Sequence, residues 1–235
     1  MKPTLLLLPG LMCDHTVYEH QINALSEAWH CIVVDYEDDD SLVAMARRAL
    51  DNAPESFAMA GHSMGGRVAL EVMRLAPEKV QRLALLDTGY ASLADGEAGE
   101  KEVTGRMARV KTAHEQGVAA MARDWVTGMV HPDRLNDTAL ISAIVAMFER
   151  KTPAIFEAQI NALIERPDAS SVLSNIDCPT TFIVGRQDAW STPEQHQAMA
   201  DKVRHSRLEI IEDAGHMSTM EQPQAMNEAF WQWLS

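Results

Sequence analysis

Six consecutive residues, Gly61-His62-Ser63-Met64-Gly65-Gly66, constrain the fold of this chain more than any other stretch. Ser56-Phe57-Ala58-Met59-Ala60 before them reads as a short apolar strand, and the residues from Arg67 to Leu75 after them carry apolar side chains at helical spacing. A Gly-x-Ser-x-Gly stretch between strand and helix makes a turn so tight that the serine backbone is strained, and side chains at Gly61 and Gly65 would collide with the neighbouring chain. The serine hydroxyl is then exposed at the mouth of a sheet, next to the positive end of a helix. A serine in a plain glycine turn, or a phosphate cradle, would share part of this pattern. A Walker-type loop is excluded, because no Gly-Lys-Ser/Thr follows. What decides is whether a base, an orienting acid and oxyanion donors stand at matching places elsewhere.

The rest of the chain supplies the scaffold. Thr4 to Leu8 is a continuous apolar run, as expected of a parallel strand buried on both faces. It leads into the loop Pro9-Gly10-Leu11-Met12-Cys13-Asp14, then a helix over 16–28 and a second strand over 31–35. The acidic run from Glu37 to Asp40 lacks the alternate spacing of a calcium loop and reads as a solvated lead into a helix over 42–50. A fourth strand over 80–86 ends in Asp87-Thr88-Gly89. Strands alternating with helices predict an α/β fold, a doubly wound and mostly parallel sheet. From 91 to 176 no strand-like run occurs; helices are expected over 103–115, 118–129, 138–150 and 154–166, as an inserted cap or lid between two parts of the core, 1–90 and 177–235. Strands resume at 179–185 and 207–211, with helices at 194–202 and 224–234.

Composition narrows the setting. The net charge of −14 argues against nucleic acid or an anionic membrane as partner, and disfavours polyanionic substrates unless a local basic pocket overrides it. Three cysteines, Cys13, Cys31 and Cys178, have no metal-like spacing and read as buried free thiols in a reducing compartment. Lys2 and the four leucines from Leu5 superficially resemble a signal peptide, but Pro9-Gly10 interrupts the run and no small-residue cleavage site follows. No stretch approaches the ~20 apolar residues of a membrane span, so the expected location is the cytoplasm.

Of nine histidines, His216 best fits the base that Ser63 requires: it follows the last strand directly, at the same sheet edge as Ser63. His62 points away from its neighbour at a tight turn, and His205 lies at the opposite edge. Asp188, just past the penultimate strand, is the expected acid that orients His216, in the order serine, aspartate, histidine that this turn demands. Asp87 is the rival, assigned instead to shaping the pocket or anchoring the lid. The oxyanion donors are the backbone N–H groups of Met64, directly after the serine, and of Leu11, in the loop after the first strand. Met12, Trp190 and Met217 nearby are apolar and predict a pocket for an acyl chain or ring. No cofactor and no metal are required.

Together, Leu8-Pro9-Gly10-Leu11, Gly61-His62-Ser63-Met64-Gly65-Gly66, Gly185-Arg186-Gln187-Asp188 and Ala214-Gly215-His216 make the chain resemble the α/β-hydrolase superfamily over nearly its whole length. The resemblance implies a Ser–His–Asp hydrolase with a helical cap after the fourth of these strands. Relatives often carry His-Gly where this chain has Pro9-Gly10, start with an antiparallel hairpin, and have a glycine-rich loop where Tyr36 to Asp40 stand here. A trimmed, six-stranded, all-parallel sheet is therefore expected. The activity implied first is hydrolysis of carboxylic esters with small to medium apolar acyl groups. The same triad in relatives also opens lactones, cleaves carbon–carbon bonds of diketones, hydrolyses thioesters or supports perhydrolysis. Gly65-Gly66-Arg67 also resembles the turn of menaquinone-pathway synthases, but Arg67 is read as structural or surface. A non-catalytic ligand-binding protein on this scaffold is the alternative from another class; a haloalkane dehalogenase would need an aspartate at 63.

Overall fold

The computed structural model describes residues 2–235. In chain order the elements are β1 (Thr4–Leu8), α1 (Glu19–Leu25), β2 (His30–Val33), α2 (Leu42–Asp51), β3 (Phe57–His62), α3 (Met64–Leu75) and β4 (Val80–Leu86). There follow α4 (Glu97–Gln116), α5 (Val118–Trp125), α6 (Thr138–Glu149), α7 (Pro153–Ile164) and α8 (Ser170–Leu173). The chain ends with β5 (Thr180–Gly185), α9 (Pro193–Ala200), β6 (Ser206–Ile211), α10 (Ser218–Glu221) and α11 (Pro223–Leu234). The six strands form one sheet in the order β2-β1-β3-β4-β5-β6, every pair parallel.

Leu5 to Leu8 are completely buried, because helices cover both faces of the sheet at β1. Such burial contributes about 1.5–3 kcal/mol for each leucine. The order of the strands reverses between β1 and β3, so the connections leaving these two strands diverge and open a crevice above their carboxyl ends. Register aligns those ends: Leu8 stands opposite Gly61, and His62 opposite Leu86. The loops carrying Leu11, Ser63 and Asp87 therefore start from one edge.

Several boundaries differ from the sequence expectation for local reasons. The helix over 16–28 divides into a 3-10 turn at His15–Tyr18, capped by the Asp14 side chain on the Thr16 N–H, and the short α1. Helix α4 starts six residues earlier than apolar spacing predicts, with Glu97 and Glu100 in its first turn favourably placed against the helix dipole. Helix α5 stops at Trp125 and tightens into a 3-10 turn over Val126–Gly128. Of the cysteines, Cys13 is buried, whereas Cys31 and Cys178 are only half-buried, which corrects the expectation for those two; none is in a disulfide.

Candidate active site

Ser63 lies between β3 and α3 with φ 54° and ψ −117°, a strained backbone for any residue with a side chain. Two close approaches maintain it. A Cβ on Gly65 would lie 2.0 Å from the Leu8 carbonyl oxygen, and one on Gly61 would lie 2.3 Å from the Gly65 carbonyl oxygen. The turn is further held by the Leu86 carbonyl, which accepts from the Ser63 N–H at 2.8 Å, and by Thr88 Oγ1, which donates to the Ser63 carbonyl at 2.6 Å.

The structure brings the three expected side chains into one hydrogen-bonded chain. His216 Nε2 is 2.8 Å from Ser63 Oγ, and His216 Nδ1 is 2.8 Å from Asp188 Oδ2. The other Asp188 oxygen accepts from the N–H groups of Trp190 and Ser191 at 2.9 and 3.0 Å, which fixes the carboxylate. With an ionised Asp188 as acceptor, Nδ1 carries the imidazole proton and Nε2 is left to accept from the serine hydroxyl. Burial opposes a charge on His216, but the Asp188 carboxylate, by its charge and its hydrogen bond, outweighs this and raises the imidazole pKa. For Asp188 burial likewise raises the pKa, and His216 together with the two loop N–H groups brings it below the ordinary carboxylate value.

The rival acid, Asp87, is also fully buried but is used otherwise. One of its oxygens accepts from the Gly185 N–H at 2.9 Å, and the other pairs with the Ser218 hydroxyl. Burial and the nearby Asp188 charge push its pKa well up, and its two hydrogen bonds tie β4 to β5 and to α10.

The loop after β1 is built as carefully. Gly10 to Cys13 forms a turn closed by a 3.0 Å bond from the Cys13 N–H to the Gly10 carbonyl, with Met12 at φ 62°. Tyr18 and Tyr36 donate their hydroxyls to the Leu8 and Pro9 carbonyls at 3.0 and 3.2 Å, so the Tyr36 region braces the loop instead of forming a glycine-rich wall. The N–H groups of Leu11 and Met64 have no acceptor among the described residues, and both residues border the cavity that opens on Ser63. That cavity measures about 1140 Å³. Met217 borders it too, and Trp190, with 41% of its surface exposed, stands at its edge with its ring 4.8 Å from that of His216. Met12 does not: it is fully buried behind the loop, which corrects its assignment to the pocket. Arg67, read from the sequence as structural or surface, does line the cavity, although one of its nitrogens also holds the Ala91 carbonyl at 2.8 Å.

Five further residues position the site, and the sequence assigned none of them a role there. Glu221 is buried and accepts from the Gly215 N–H at 2.8 Å and the His131 N–H at 2.6 Å, joining the His216 loop to the segment after α5. The Met129 carbonyl accepts from the His216 N–H at 2.7 Å. Gln159 of α7 accepts from the Met12 N–H at 2.8 Å, which ties the helical segment to the loop after β1. His62 donates Nε2–H to the His216 carbonyl at 2.8 Å, and burial lowers its pKa to about 4, so it is neutral. His196 is equally buried and lowered to about 4; its Nε2 accepts from the Thr88 N–H at 3.2 Å. Met129 acts through its backbone and left no sequence cue; for the others the only cue was a polar residue inside an apolar pattern.

A doubly wound parallel sheet, with a strained serine at a strand-to-helix turn hydrogen-bonded through histidine to aspartate, is the architecture of the α/β hydrolases. The chain belongs to the alpha/beta hydrolase family, whose model matches residues 5–229. Among curated proteins, it is 23% identical over 240 residues to a pimeloyl-[acyl-carrier protein] methyl ester esterase of Nitrosomonas europaea, covering 97% of this chain and 94% of that one. It is 28% identical over 169 residues to 3-oxoadipate enol-lactonase 2 of Acinetobacter baylyi, covering 72% of this chain and 60% of that one. Among solved structures, a thermophilic esterase from Thermogutta terrifontis, with malate bound, superposes with a TM-score of 0.90 at 27% identity, over 100% of this chain and 90% of that one. The protein is therefore a hydrolase of the α/β fold. No helix among the described residues is long and apolar enough to cross a membrane.

Proposed function

We propose that the protein hydrolyses carboxylic esters through an acyl-enzyme on Ser63. The observation that carries this reading is the pair of 2.8 Å contacts linking Ser63, His216 and Asp188. The Ser63 oxygen attacks the ester carbonyl while His216 Nε2 takes its proton. The oxyanion that forms is held by the Leu11 and Met64 N–H groups. As the tetrahedral intermediate collapses, the carbon–oxygen bond to the alcohol breaks and His216 returns the proton to that alcohol. Water, deprotonated by the same imidazole, then attacks the acyl-enzyme, and the acid leaves with Ser63 restored. Asp188 holds the Nδ1–H tautomer and stabilises the imidazolium in both halves.

The helical segment from 91 to 176 acts as the cap. In support, Trp125, Phe148, Ile160 and Leu163 from this segment line the cavity that opens on Ser63. The esterases among the similar proteins favour an open-chain ester, and the enol-lactonase supports a lactone as the second reading. The same steps open a lactone, except that the leaving alcohol stays attached to the acyl group.

Hydrolysis of p-nitrophenyl esters from acetate to laurate, with the Ser63→Ala variant as control, tests this. Turnover by the native protein and a loss on the order of 10³-fold or more in the variant are expected. Undiminished turnover by Ser63→Ala would overturn the reading. Covalent labelling by a fluorophosphonate reports separately on whether Ser63 is activated.

A further inference from the structure

One group of the residues lining the cavity is cationic. Arg67 on α3, Arg106 and Arg109 on α4, and Arg166 just after α7 all line it, with Lys101 at the rim. Glu102 is the one carboxylate among them. Asp87, the other carboxyl bordering the cavity, neighbours Asp188 and His216, and its pKa is pushed well up by burial and the Asp188 charge.

The hydrogen bonds separate the arginines that are satisfied from those that are not. Arg166 is fully engaged: two of its nitrogens grip both Glu102 oxygens at 2.8 and 2.9 Å, and its Nε donates to the Ala91 carbonyl at 3.2 Å. Arg106 uses only Nε, on Glu102 at 2.9 Å, and Arg67 only Nη1, on Ala91. The outer nitrogens of Arg106 and the Nη2 of Arg67 have no acceptor among the described residues. Arg67 Nη2 lies against Gly89, 3.0 Å from where a Cβ would stand. Arg109 stacks over Trp125 with its guanidinium carbon 5.6 Å from the ring centre, and its Nε is buried with no partner.

Cations concentrated in a half-buried cavity in this way repel one another and lose hydration, which is costly for each that is left unpaired. Burial, with the charges of Arg166 and Arg106, lowers the pKa of Arg67 to about 9. Glu102 and the Ala91 carbonyl nonetheless lock three of the four guanidiniums in position. Fixed planar forks with unused N–H groups match a carboxylate.

We propose that Arg67, Arg106 and Arg109 bind a carboxylate carried by the substrate itself, at the end remote from the carbonyl that Ser63 attacks. Arg166 and Glu102 are positioning residues that aim Arg106. This rests on the ester-hydrolase reading and adds to it a substrate class: half-esters, or lactones bearing a free acid, in place of wholly apolar esters.

The test compares monomethyl adipate with methyl hexanoate, equal in chain length, by pH-stat near neutrality. The expected kcat/KM ratio favours the charged ester at least tenfold, and it falls about tenfold in Arg106→Gln, the loss of one charged hydrogen-bonding group. Arg106→Lys, which keeps the charge without the fork, falls between. Arg109→Gln provides a second variant should Arg106→Gln melt markedly lower. In parallel, adipate and hexanoate are titrated calorimetrically into Ser63→Ala. Adipate binding that Arg106→Gln weakens supports the carboxylate site even where both esters prove inert; in that case it is the ester-hydrolase reading that falls. A ratio of one or less on esters that are turned over, or no adipate binding at about 10 mM, overturns the proposal.

Discussion

Changing Asp188 to Asn removes a charge but keeps the shape, and the surroundings of this residue dictate which way the new amide faces. The position of Oδ1 is surrounded by two donors, the Trp190 and Ser191 N–H groups at 2.9 and 3.0 Å. Only the amide oxygen can occupy it, so the NH2 group must take the place of Oδ2, 2.8 Å from His216 Nδ1. An amide donor there forces the imidazole proton onto Nε2, which then faces Ser63 Oγ as a donor and can no longer accept its proton. The base is lost although every heavy atom stays in position. A wrong tautomer of this kind costs about 10⁴-fold in kcat, or about 5 kcal/mol of transition-state stabilisation. The assay is kcat on a p-nitrophenyl ester for Asp188→Asn beside Asp87→Asn. Asp87 bonds the Gly185 N–H and the Ser218 hydroxyl and does not touch the His216 ring, so the second variant should stay within about tenfold of the native enzyme. Activity of Asp188→Asn within tenfold of native, or an Asp87→Asn variant as slow as Asp188→Asn, would refute the assignment of the acid.

Further outcomes follow from the same geometry. Because His216 must be neutral to act as base and its pKa is raised, kcat/KM should fall as pH drops through a limb above 6.5, and a stopped profile flat to pH 5 would count against it. His62 and His196 are buried with pKa values near 4, so the unfolded chain binds protons that the folded one refuses. Their contribution to stability is complete above pH 6.5 and is lost between 6.5 and 4, on the order of 3 kcal/mol for each, measurable by urea unfolding against pH. Gly65→Ala would drive a Cβ to 2.0 Å from the Leu8 carbonyl oxygen, displacing the oxyanion loop. A loss of about 10²-fold in kcat is expected, with destabilisation of about 1–3 kcal/mol, seen in kinetics and thermal melts. Gln159→Leu leaves the buried Met12 N–H without an acceptor and should lower both stability, by about 1–3 kcal/mol, and kcat, whereas Gln159→Glu, which retains an acceptor oxygen, should recover part of each.

What could be read from the residues and what could not divides along a physical line. The strands were legible because a sheet covered on both faces needs uninterrupted apolar runs, and Leu5 to Leu8 or Leu83 to Leu86 can be little else. The proximity of Ser63, Asp188 and His216 was legible because parallel strands send all their carboxyl ends to one edge, so residues far apart in the chain share an address. Met12 was misread because apolar character says that a side chain avoids water, not whether it does so in the pocket or behind the loop that forms it. The same limit hid Glu221 and Gln159: each is a polar residue near a helix end or on a helix, and only tertiary packing shows that backbone N–H groups surround its oxygens.

The arginines make the point most sharply. Arg106 and Arg109 sit on α4, which the sequence marks only as an expected helix over 103–115, while Arg67 and Arg166 lie far from them in sequence. They converge only because α4 packs beside α7 above the end of β4. The net charge of −14 disfavours polyanionic substrates unless a local basic pocket overrides it, because a net charge averages over the whole surface, where water and salt screen it within about 10 Å. Inside the cavity the effective dielectric is lower and the nearest groups dominate. Two charge distributions therefore coexist. The acidic exterior sets how the protein meets other macromolecules, and a handful of guanidiniums around one carboxylate sets which small molecule can reach Ser63 with its carbonyl correctly turned.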